Sequence, residues 1–544
     1  MTIPTINNIQ DEKYLIGVDV GTGSARAGVF DFNGRMLASA KTDITLYTEP
    51  GAIVEQSSTE IWSAVSQSII NILKQAHINS ADVVGIGFDA TCSLVVLGDN
   101  GKPLPVGPTE DPDRNIIVWM DHRAIAQAEK INATEHDVLK YVGGKISPEM
   151  QTPKLLWLLE NKPLIFNTAW QFMDLADFLT WRATRSTERS TCTLTCKWTY
   201  LGHERRWDSS YFQTIGLGVL ADEKFSRIGL NILDPGQAVG QGLSCEVAKE
   251  LGLRQGIAVS AGLIDAHAGG VGTVGAGVDL MGSLAYVFGT SSCTMTTTAT
   301  PVFVPGIWGP YYSAMIPNVW LLEGGQSAAG AAIEQLICCH PAYQEFKKLA
   351  DAANISLPIW LADRALDIVT NLSAAALLAK STYVVPEFLG NRAPFADPQA
   401  RALIAGLGME RDEASMIELY ISGICAIGYG LKQIVDAQAL KGAEIERVMI
   451  SGGAGQHELI RQLLADATGK PVFSTQSPEP VLLGSAIIAG VAAKVFPDVS
   501  SAMKSMSRVE KKYSPSDNSK IKQYHSHRFK VFKRLQSVAH EINL

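Results

Sequence analysis

Tyr14-Leu15-Ile16-Gly17-Val18-Asp19-Val20-Gly21-Thr22-Gly23-Ser24-Ala25-Arg26-Ala27-Gly28-Val29-Phe30-Asp31 is the stretch that decides the fold. The apolar run Tyr14 to Val20 reads as a buried strand, and Arg26 to Asp31 alternates weakly as a second one. Between them Gly21 to Ser24 form a turn of small residues, whose backbone N–H groups an anion can approach closely. Asp19, at the strand end, is placed to hold a hydrated divalent cation. A dinucleotide fold would continue from such a loop into a helix, whereas this chain continues into a strand, and Arg26 stands where the third glycine belongs. No GxxxxGK[ST] loop is present either. Taken alone, the turn also fits an ordinary tight hairpin.

Working outward, Asp31-Phe32-Asn33-Gly34 carries the Asn-Gly signal of a hairpin, and Arg35 to Ile44 supplies a third strand. Ser58 to Ala76 has helical spacing at Ile61, Val65, Ile69, Ile72 and Leu73, with Thr59 as its cap. Val83 to Asp89 is another apolar strand, followed by Thr91 to Leu97 and a Gly98-Asp99-Asn100-Gly101 turn. A similar order restarts later. Ile257 to Ile264 reads as a strand. Ser283 to Gly289, a Thr290-Ser291-Ser292 turn and Cys293 to Thr298 read as strand–turn–strand. Val448 to Ile450 then leads through a glycine-rich turn into a helix, Glu458 to Thr468. The pattern predicts two related α/β halves that meet near residue 260, with a polar, basic tail from about Ser500.

The chain has 544 residues, 46 Lys+Arg against 54 Asp+Glu, and a net charge of −8. With 46% apolar and 18% charged residues, it is too apolar for a disordered chain. Its acidic balance gives no reason to expect nucleic acid as a partner. The uncharged stretch Leu280 to Leu322 is interrupted by Pro301, Pro305, Pro310 and Pro317, so it reads as buried strands and not as a membrane helix. Met1 to Glu12 lack the pattern of a secretory signal. The 8 cysteines form no CxxC pair, which suits reduced thiols and a cytoplasmic location.

Three further constellations carry chemistry. Phe288-Gly289-Thr290-Ser291-Ser292 repeats the strand–small turn–strand arrangement in the second half, so two loops are available for one polyphosphate. Ser451-Gly452-Gly453-Ala454-Gly455-Gln456-His457 opens a helix, where small residues let a flat base lie against backbone, although a plain glycine-rich connection has the same appearance. Ala261-Gly262-Leu263-Ile264-Asp265-Ala266-His267 puts Asp265 at the end of a strand and the start of a helix, partly desolvated yet favoured by the helix N-terminus. That suits a general base for a hydroxyl nucleophile, although a plain N-cap has the same appearance. His267 reads as a packed or surface histidine and not as a ligand. Gly270 to Gly275 match GxGxxG without a preceding strand or a following acidic residue, and Gly325 to Ala329 narrowly miss the serine-hydrolase elbow.

In this order the residues resemble the FGGY carbohydrate kinases, within the actin/hexokinase/heat-shock-chaperone ATPase superfamily. The resemblance covers roughly Tyr14 to Phe496. It rests on Asp19 to Arg26, Lys154-Leu155-Leu156-Trp157, Gly262 to Gly270, Gly289-Thr290-Ser291, Glu323-Gly324-Gly325-Gln326-Ser327, Gly390-Asn391-Arg392-Ala393-Pro394 with Asp397-Pro398, and Gly452 to Gly469. Tyr513-Ser514-Pro515 with Tyr524, Phe532 and Leu535 resembles the family's closing helix. The chain departs from the family at Ser422-Gly423, at Asn391 and at His457.

The resemblance implies an α/β protein of two actin/hexokinase-like (RNase H-like) domains with a central cleft. The expected limits are an N-terminal extension at 1–13, an N-terminal domain at 14–262, a C-terminal domain at 263–496 and a helical tail at 497–544. It implies ATP and Mg²⁺. Gly21, Thr22, Gly23, Ser24, Arg26, Gly289, Thr290 and Ser291 are expected at the phosphates, and Gly452, Gly453, Ala454 and His457 at the adenosine. Asp19 and Asp265 are expected at the metal, with Asp265 as base. Phe88-Asp89-Ala90-Thr91-Cys92-Ser93-Leu94-Val95 resembles the Thr-Cys-Ser-Leu-Val signature of D-ribulokinases. Sugar contacts are accordingly expected at Ala90, Lys197, Asp265 and Glu323, although a solvated surface lysine would look the same as Lys197; Asp121 of Trp119-Met120-Asp121-His122-Arg123 fits either a sugar contact or a structural ion pair. The expected partners are a sugar and ATP, without nucleic acid or membrane, and with a homodimer left open as the assembly. L-Ribulose, xylulose or a pentitol as acceptor remains an alternative, as do a non-catalytic actin-like nucleotide switch and, resting only on Gly270 to Gly275, a nicotinamide dehydrogenase.

Overall fold

A computed structural model describes residues 13–276 and 279–542; the expected extension at 1–13 lies outside them, apart from Lys13. The chain forms two compact units, neither of them continuous in sequence. The first holds the described residues through 276 together with Tyr311–Trp320 and Ser477–Arg508; the second holds the remainder. This corrects the expected limits. The first unit runs past residue 262 and takes back the helices Pro480–Ala492 and Val499–Met506, while Val509–Tyr513 and Ser519–Ile542 belong to the second unit.

In the first unit, Tyr14–Val20 is buried along its whole length. It pairs antiparallel with Ser24–Phe30, which pairs antiparallel with Met36–Asp43. On its other side it runs parallel to Val83–Ala90, which in turn lies parallel to Leu263–Ile264. The expected strand over 257–264 is therefore two short pieces, Ala258–Val259 and Leu263–Ile264, and both belong to this first sheet. Helix Ser58–Ala76 has the predicted span, but its cap is Ser57, whose hydroxyl accepts the Glu60 N–H at 3.2 Å.

The opposite face of the sheet is covered by Pro480–Ala492. Glycines on the strands allow its close approach: a Cβ on Gly17 would lie 2.0 Å from Leu482 O, and one on Gly87 2.0 Å from Ser485 O. The same helix crosses Asp265–Val274 backbone to backbone, since a Cβ on Gly272 would lie 1.9 Å from Pro480 O. The GxGxxG match at Gly270 to Gly275 thus serves helix packing. A smaller antiparallel sheet, in the order 47–49, 53–56, 116–117, 94–97 and 171–174, stands at the end of Val83–Ala90.

The second unit repeats the plan. Ser283–Phe288 pairs antiparallel with Ser292–Thr298 and parallel with Arg447–Ser451; Val472–Thr475 and Val509–Tyr513 extend the sheet. Among the described residues one helix, Glu413–Ala439, is long and apolar enough to cross a membrane, but most of it is buried in this unit's core. The tail helix is tied to the same unit: Tyr524 Oη donates to Ala379 O at 2.7 Å, and the Arg528 guanidinium lies 4.0 Å from the Tyr383 ring centre.

Candidate active site

Three parallel strands of the first unit end side by side. The register pairs Asp19 with Asp89 and Leu263 with Asp89, and Asp265 follows directly after Ile264. The topology thereby gathers three carboxylates at the carboxyl ends of a parallel sheet, the usual ligand edge of such sheets.

Asp19 is buried and faces Arg26 across the hairpin. Arg26 Nε donates to Asp19 Oδ2 at 2.7 Å, and its Nη1 donates to Glu479 Oε2 at 2.7 Å. Asp89 is fully buried and accepts the Ser485 hydroxyl at 2.5 Å. Burial, with the Asp19 charge beside it, holds the Asp89 carboxyl well above the ordinary range. Glu479 immediately precedes Pro480–Ala492 and Ser485 lies within it, so one helix and its cap brace two of the three strand ends.

Asp265 is half-buried, and its Oδ1 accepts the Ala266 N–H at 2.7 Å. Desolvation first and the Asp19 charge second raise its carboxyl to about 6; the Ala266 amide, His267 and Lys197 act in the opposite direction. Behind it, Cys192 Sγ lies 3.1 Å from His267 Nδ1 and accepts the Ile264 N–H at 3.4 Å, fixing the start of the helix. Of its two readings, packed or surface, His267 takes the first: it is fully buried.

Ala90 closes the strand Val83–Ala90, and Lys197 ends the helix Thr191–Lys197, both buried. Lys197 acts electrostatically on Asp265, Asp174 and Cys92, so it belongs to the same region as the three strand ends. Glu323 lies on Trp320–Gln326, in a part of that strand belonging to the second unit, and is 6% exposed.

Asp121 is different. It is fully buried; its Oδ2 accepts the Val54 N–H at 2.6 Å and its Oδ1 the Arg123 N–H at 2.9 Å. Arg123 bonds both oxygens and also reaches Glu55 at 2.7 Å, and Glu55 is paired again with Arg114 at 2.8 Å. Of the two readings of Asp121, sugar contact and structural ion pair, these bonds favour the second: its oxygens are engaged in a buried ion-pair network that ties the small sheet together.

The loops expected at ATP are well braced. Gly21 N–H donates to Ser24 O at 3.0 Å, Gln56 Nε2 to Thr22 O at 2.8 Å and Trp119 Nε1 to Thr22 Oγ1 at 3.0 Å. A Cβ on Gly23 would meet nothing within 4 Å, so the fold itself does not demand glycine there, as befits a place where a ligand approaches backbone. In the second unit Gly289 N–H donates to Ser291 O at 2.9 Å, and Thr290 O accepts the N–H groups of Ala329 and Ala331 at 2.9 and 3.1 Å. Gly452 has φ of 94° and lies against Phe288 O, whereas Gly453 is open.

Gly289, Thr290, Gly453 and Ala454 line a cavity of about 390 Å³ within the second unit, walled by Ile333, Ile359, Ile424 and Tyr420. An apolar slot beside small-residue loops fits a flat base with its phosphates. His457 lines the same cavity, with both ring nitrogens engaged: Nδ1 accepts the Leu459 N–H at 3.1 Å, capping the helix Glu458–Thr468, and Nε2 lies 3.1 Å from Asp363 Oδ1.

Among the described residues no group of three or more His, Cys, Asp or Glu forms a metal cage. The donor set fits Mg²⁺, which takes one or two carboxylates and fills its shell with water and phosphate oxygens.

The groups that sequence reasoning missed are Asp89, Ser485, Glu479 and the isoleucine walls of the cavity. Asp89 stood inside a quoted motif but had no signal of its own. Glu479, between two prolines, reads as loop.

A family model for the N-terminal domain of the FGGY family of carbohydrate kinases matches residues 14–272, and one for its C-terminal domain matches 284–493. The human FGGY carbohydrate kinase domain-containing protein is 42% identical over 535 residues, covering 96% of each chain. A D-ribulokinase of Saccharomyces cerevisiae is 36% identical over 521 residues, 89% of this chain and 73% of that one. The fold is similar to that of a xylulose kinase from Lactobacillus acidophilus, with TM-score 0.79, 20% identity, and 97% and 98% of the two chains covered. It is also similar to a Plasmodium falciparum glycerol kinase solved with ADP, with TM-score 0.77, 18% identity, and 96% and 98% covered. The two halves with their matching hairpins, the strand-end carboxylates and the nucleotide-sized cavity agree with these matches, and the chain belongs to the FGGY family of carbohydrate kinases.

Proposed function

We propose that this ATP-dependent sugar kinase phosphorylates the terminal C5 hydroxyl of a pentulose, D-ribulose, to give D-ribulose 5-phosphate, with Asp265 as the general base. The observation that carries the reading is the setting of Asp265: a carboxylate at a strand end, raised to about 6 by desolvation and by Asp19. It is still largely ionised near neutral pH but basic enough to take a proton. The choice of sugar is supported by the Thr91-Cys92-Ser93-Leu94-Val95 stretch and by the 36% identity to the yeast D-ribulokinase.

In this reading the sugar hydroxyl attacks the γ-phosphorus of ATP. Its O–H proton passes to Asp265, an O–P bond forms, and the bond to the leaving ADP oxygen breaks. A sugar hydroxyl does not ionise beforehand near pH 7, so proton transfer accompanies attack, and the base contributes about 10²–10⁴-fold. Asp19 and Asp265 would hold Mg²⁺, which neutralises charge on the phosphates. Lys197, Ala90 and Glu323 contact the sugar. The Gly21–Ser24 and Gly289–Ser291 loops offer donors to phosphate oxygens, and the cavity beside Gly453 and Ala454 takes the adenosine.

The test is ADP formation with Mg·ATP and a panel of D-ribulose, L-ribulose, D- and L-xylulose, ribitol, arabitols and glycerol, compared as kcat/KM. The expected result is a clear preference for D-ribulose. Preference for another acceptor would retain the kinase and overturn the sugar assignment. ATP binding without turnover on any sugar would favour a nucleotide switch.

A further inference from the structure

Asp174 ends the strand Gln171–Asp174 and stands at the N-cap position of helix Leu175–Thr184, yet its side chain does not cap that helix. An aspartate there normally accepts an N–H of the first turn. Instead its Oδ2 accepts Gln151 Nε2 at 3.1 Å and Trp198 Nε1 at 3.4 Å. Gln151 Nε2 also donates to Cys92 O at 3.0 Å. All three side chains are fully buried.

These bonds join three separate segments. Cys92 lies two residues beyond Ala90, Trp198 follows Lys197, and Gln151 opens helix Gln151–Asn161. The backbone reinforces the first link: Leu94 is paired with Asp174, and Leu175 N–H donates to Ser93 O at 2.9 Å. Asp174 Oδ1 and Gln151 Oε1 are buried without a hydrogen-bond partner. Leaving buried acceptors unmet costs stability that an apolar core would not lose, so a stability role does not account for this cluster.

We propose that Asp174, through Gln151 and Trp198, is a positioning residue that fixes the turn after Ala90 against Lys197 and thereby sets affinity for the acceptor sugar. The inference rests on the reading of Ala90 and Lys197 as sugar contacts. It deepens that reading by naming what holds them in register.

The experiment measures KM for the acceptor, KM for ATP, kcat and Tm for Asp174→Leu, Asp174→Asn, Trp198→Phe and Lys197→Met in the full chain. Asp174→Asn keeps one oxygen that accepts both bonds. Trp198→Phe deletes a single donor and keeps an aromatic ring, though it leaves a cavity at this fully buried position, so its Tm is read beside its KM; it supplies a second variant should the leucine variant fail to fold. The expected result is an acceptor KM raised about tenfold in Asp174→Leu, the equivalent of one lost buried hydrogen bond. Trp198→Phe moves the same way by a smaller factor, Asp174→Asn stays within about threefold, and KM for ATP is unchanged in all three. An unchanged acceptor KM in Trp198→Phe and Asp174→Leu, with Lys197→Met impaired, would overturn the positioning role alone. An unchanged acceptor KM in Lys197→Met would overturn the sugar-contact reading and this inference with it. Parallel rises in both KM values with no rescue by Asn would show a general structural role and overturn the proposal.

Discussion

Arg26 Nη1 meets Glu479 Oε2 at 2.7 Å, joining residues 453 positions apart in sequence. The same guanidinium bonds Asp19, so Glu479 holds the arginine that holds the carboxylate assigned to the metal. Both partners of the pair are about one-third exposed, so the bond contributes little to stability. Glu479→Gln is expected to change unfolding free energy by less than about 1 kcal/mol. KM for Mg·ATP should rise about fivefold with the acceptor KM unchanged. Steady-state kinetics with each substrate varied in turn check this; an unaltered KM for Mg·ATP would detach Glu479 from the site.

Asp265→Asn removes the base but keeps the shape and the bond to Ala266 N–H. A loss of kcat above about 100-fold is expected, with ATP binding and Tm retained. In the wild type the base must be ionised, and its carboxyl stands at about 6. As pH falls through that value, kcat/KM should drop, approaching tenfold per pH unit below it. A flat profile from pH 7 down to pH 5, or near-wild-type turnover in Asp265→Asn, would remove the residue from the role.

Ala331 lines the cavity of about 390 Å³ in the second unit. Ala331→Phe places a ring where the adenosine is assigned. KM for ATP is expected to rise at least about tenfold while the acceptor KM holds. Isothermal titration with ADP provides a check independent of turnover. Equal ADP affinity in variant and wild type would place the nucleotide elsewhere.

A Cβ on Gly484 would stand 1.9 Å from Ala268 O, and backbone cannot yield as a side chain does. Gly484→Ala is therefore expected to cost about 1–3 kcal/mol. It should also cost activity, because the crossing helices carry Ser485 and Asp265. A Cβ on Gly453 meets nothing within 4 Å, so Gly453→Ala should leave Tm unchanged while raising KM for ATP. Thermal unfolding of the pair separates the two kinds of glycine.

Local pattern made part of this legible. The strand Tyr14–Val20, the helix Ser58–Ala76 and the second hairpin at 283–298 were readable because apolar periodicity and turn chemistry act over a few residues. Ser57 in place of Thr59 as cap is a shift within one turn, where several hydroxyls compete. Asp121 left two readings open, because the motif around it does not reveal that Arg123 and the Val54 amide take its oxygens. The brace from Glu479 and Ser485 was out of reach, since a bond spanning hundreds of positions leaves no periodic trace. So was Asp174, whose N-cap position suggests a local bond that the side chain does not make.

The return of Ser477–Arg508 to the first unit has a consequence for biosynthesis. When the ribosome has extended the chain only to about residue 276, the strands Tyr14–Val20 and Val83–Ala90 already exist, but the helix that covers one face of their sheet has not been made. That face, with Gly17 and Gly87 bared, must wait for some two hundred further residues, roughly 10–40 s at usual elongation rates. The second unit, whose sheet is finished only by Val509–Tyr513, matures in the same interval. Neither unit is thus complete before this stretch is made, and a nascent chain stalled before residue 480 exposes an apolar sheet face that invites chaperone capture.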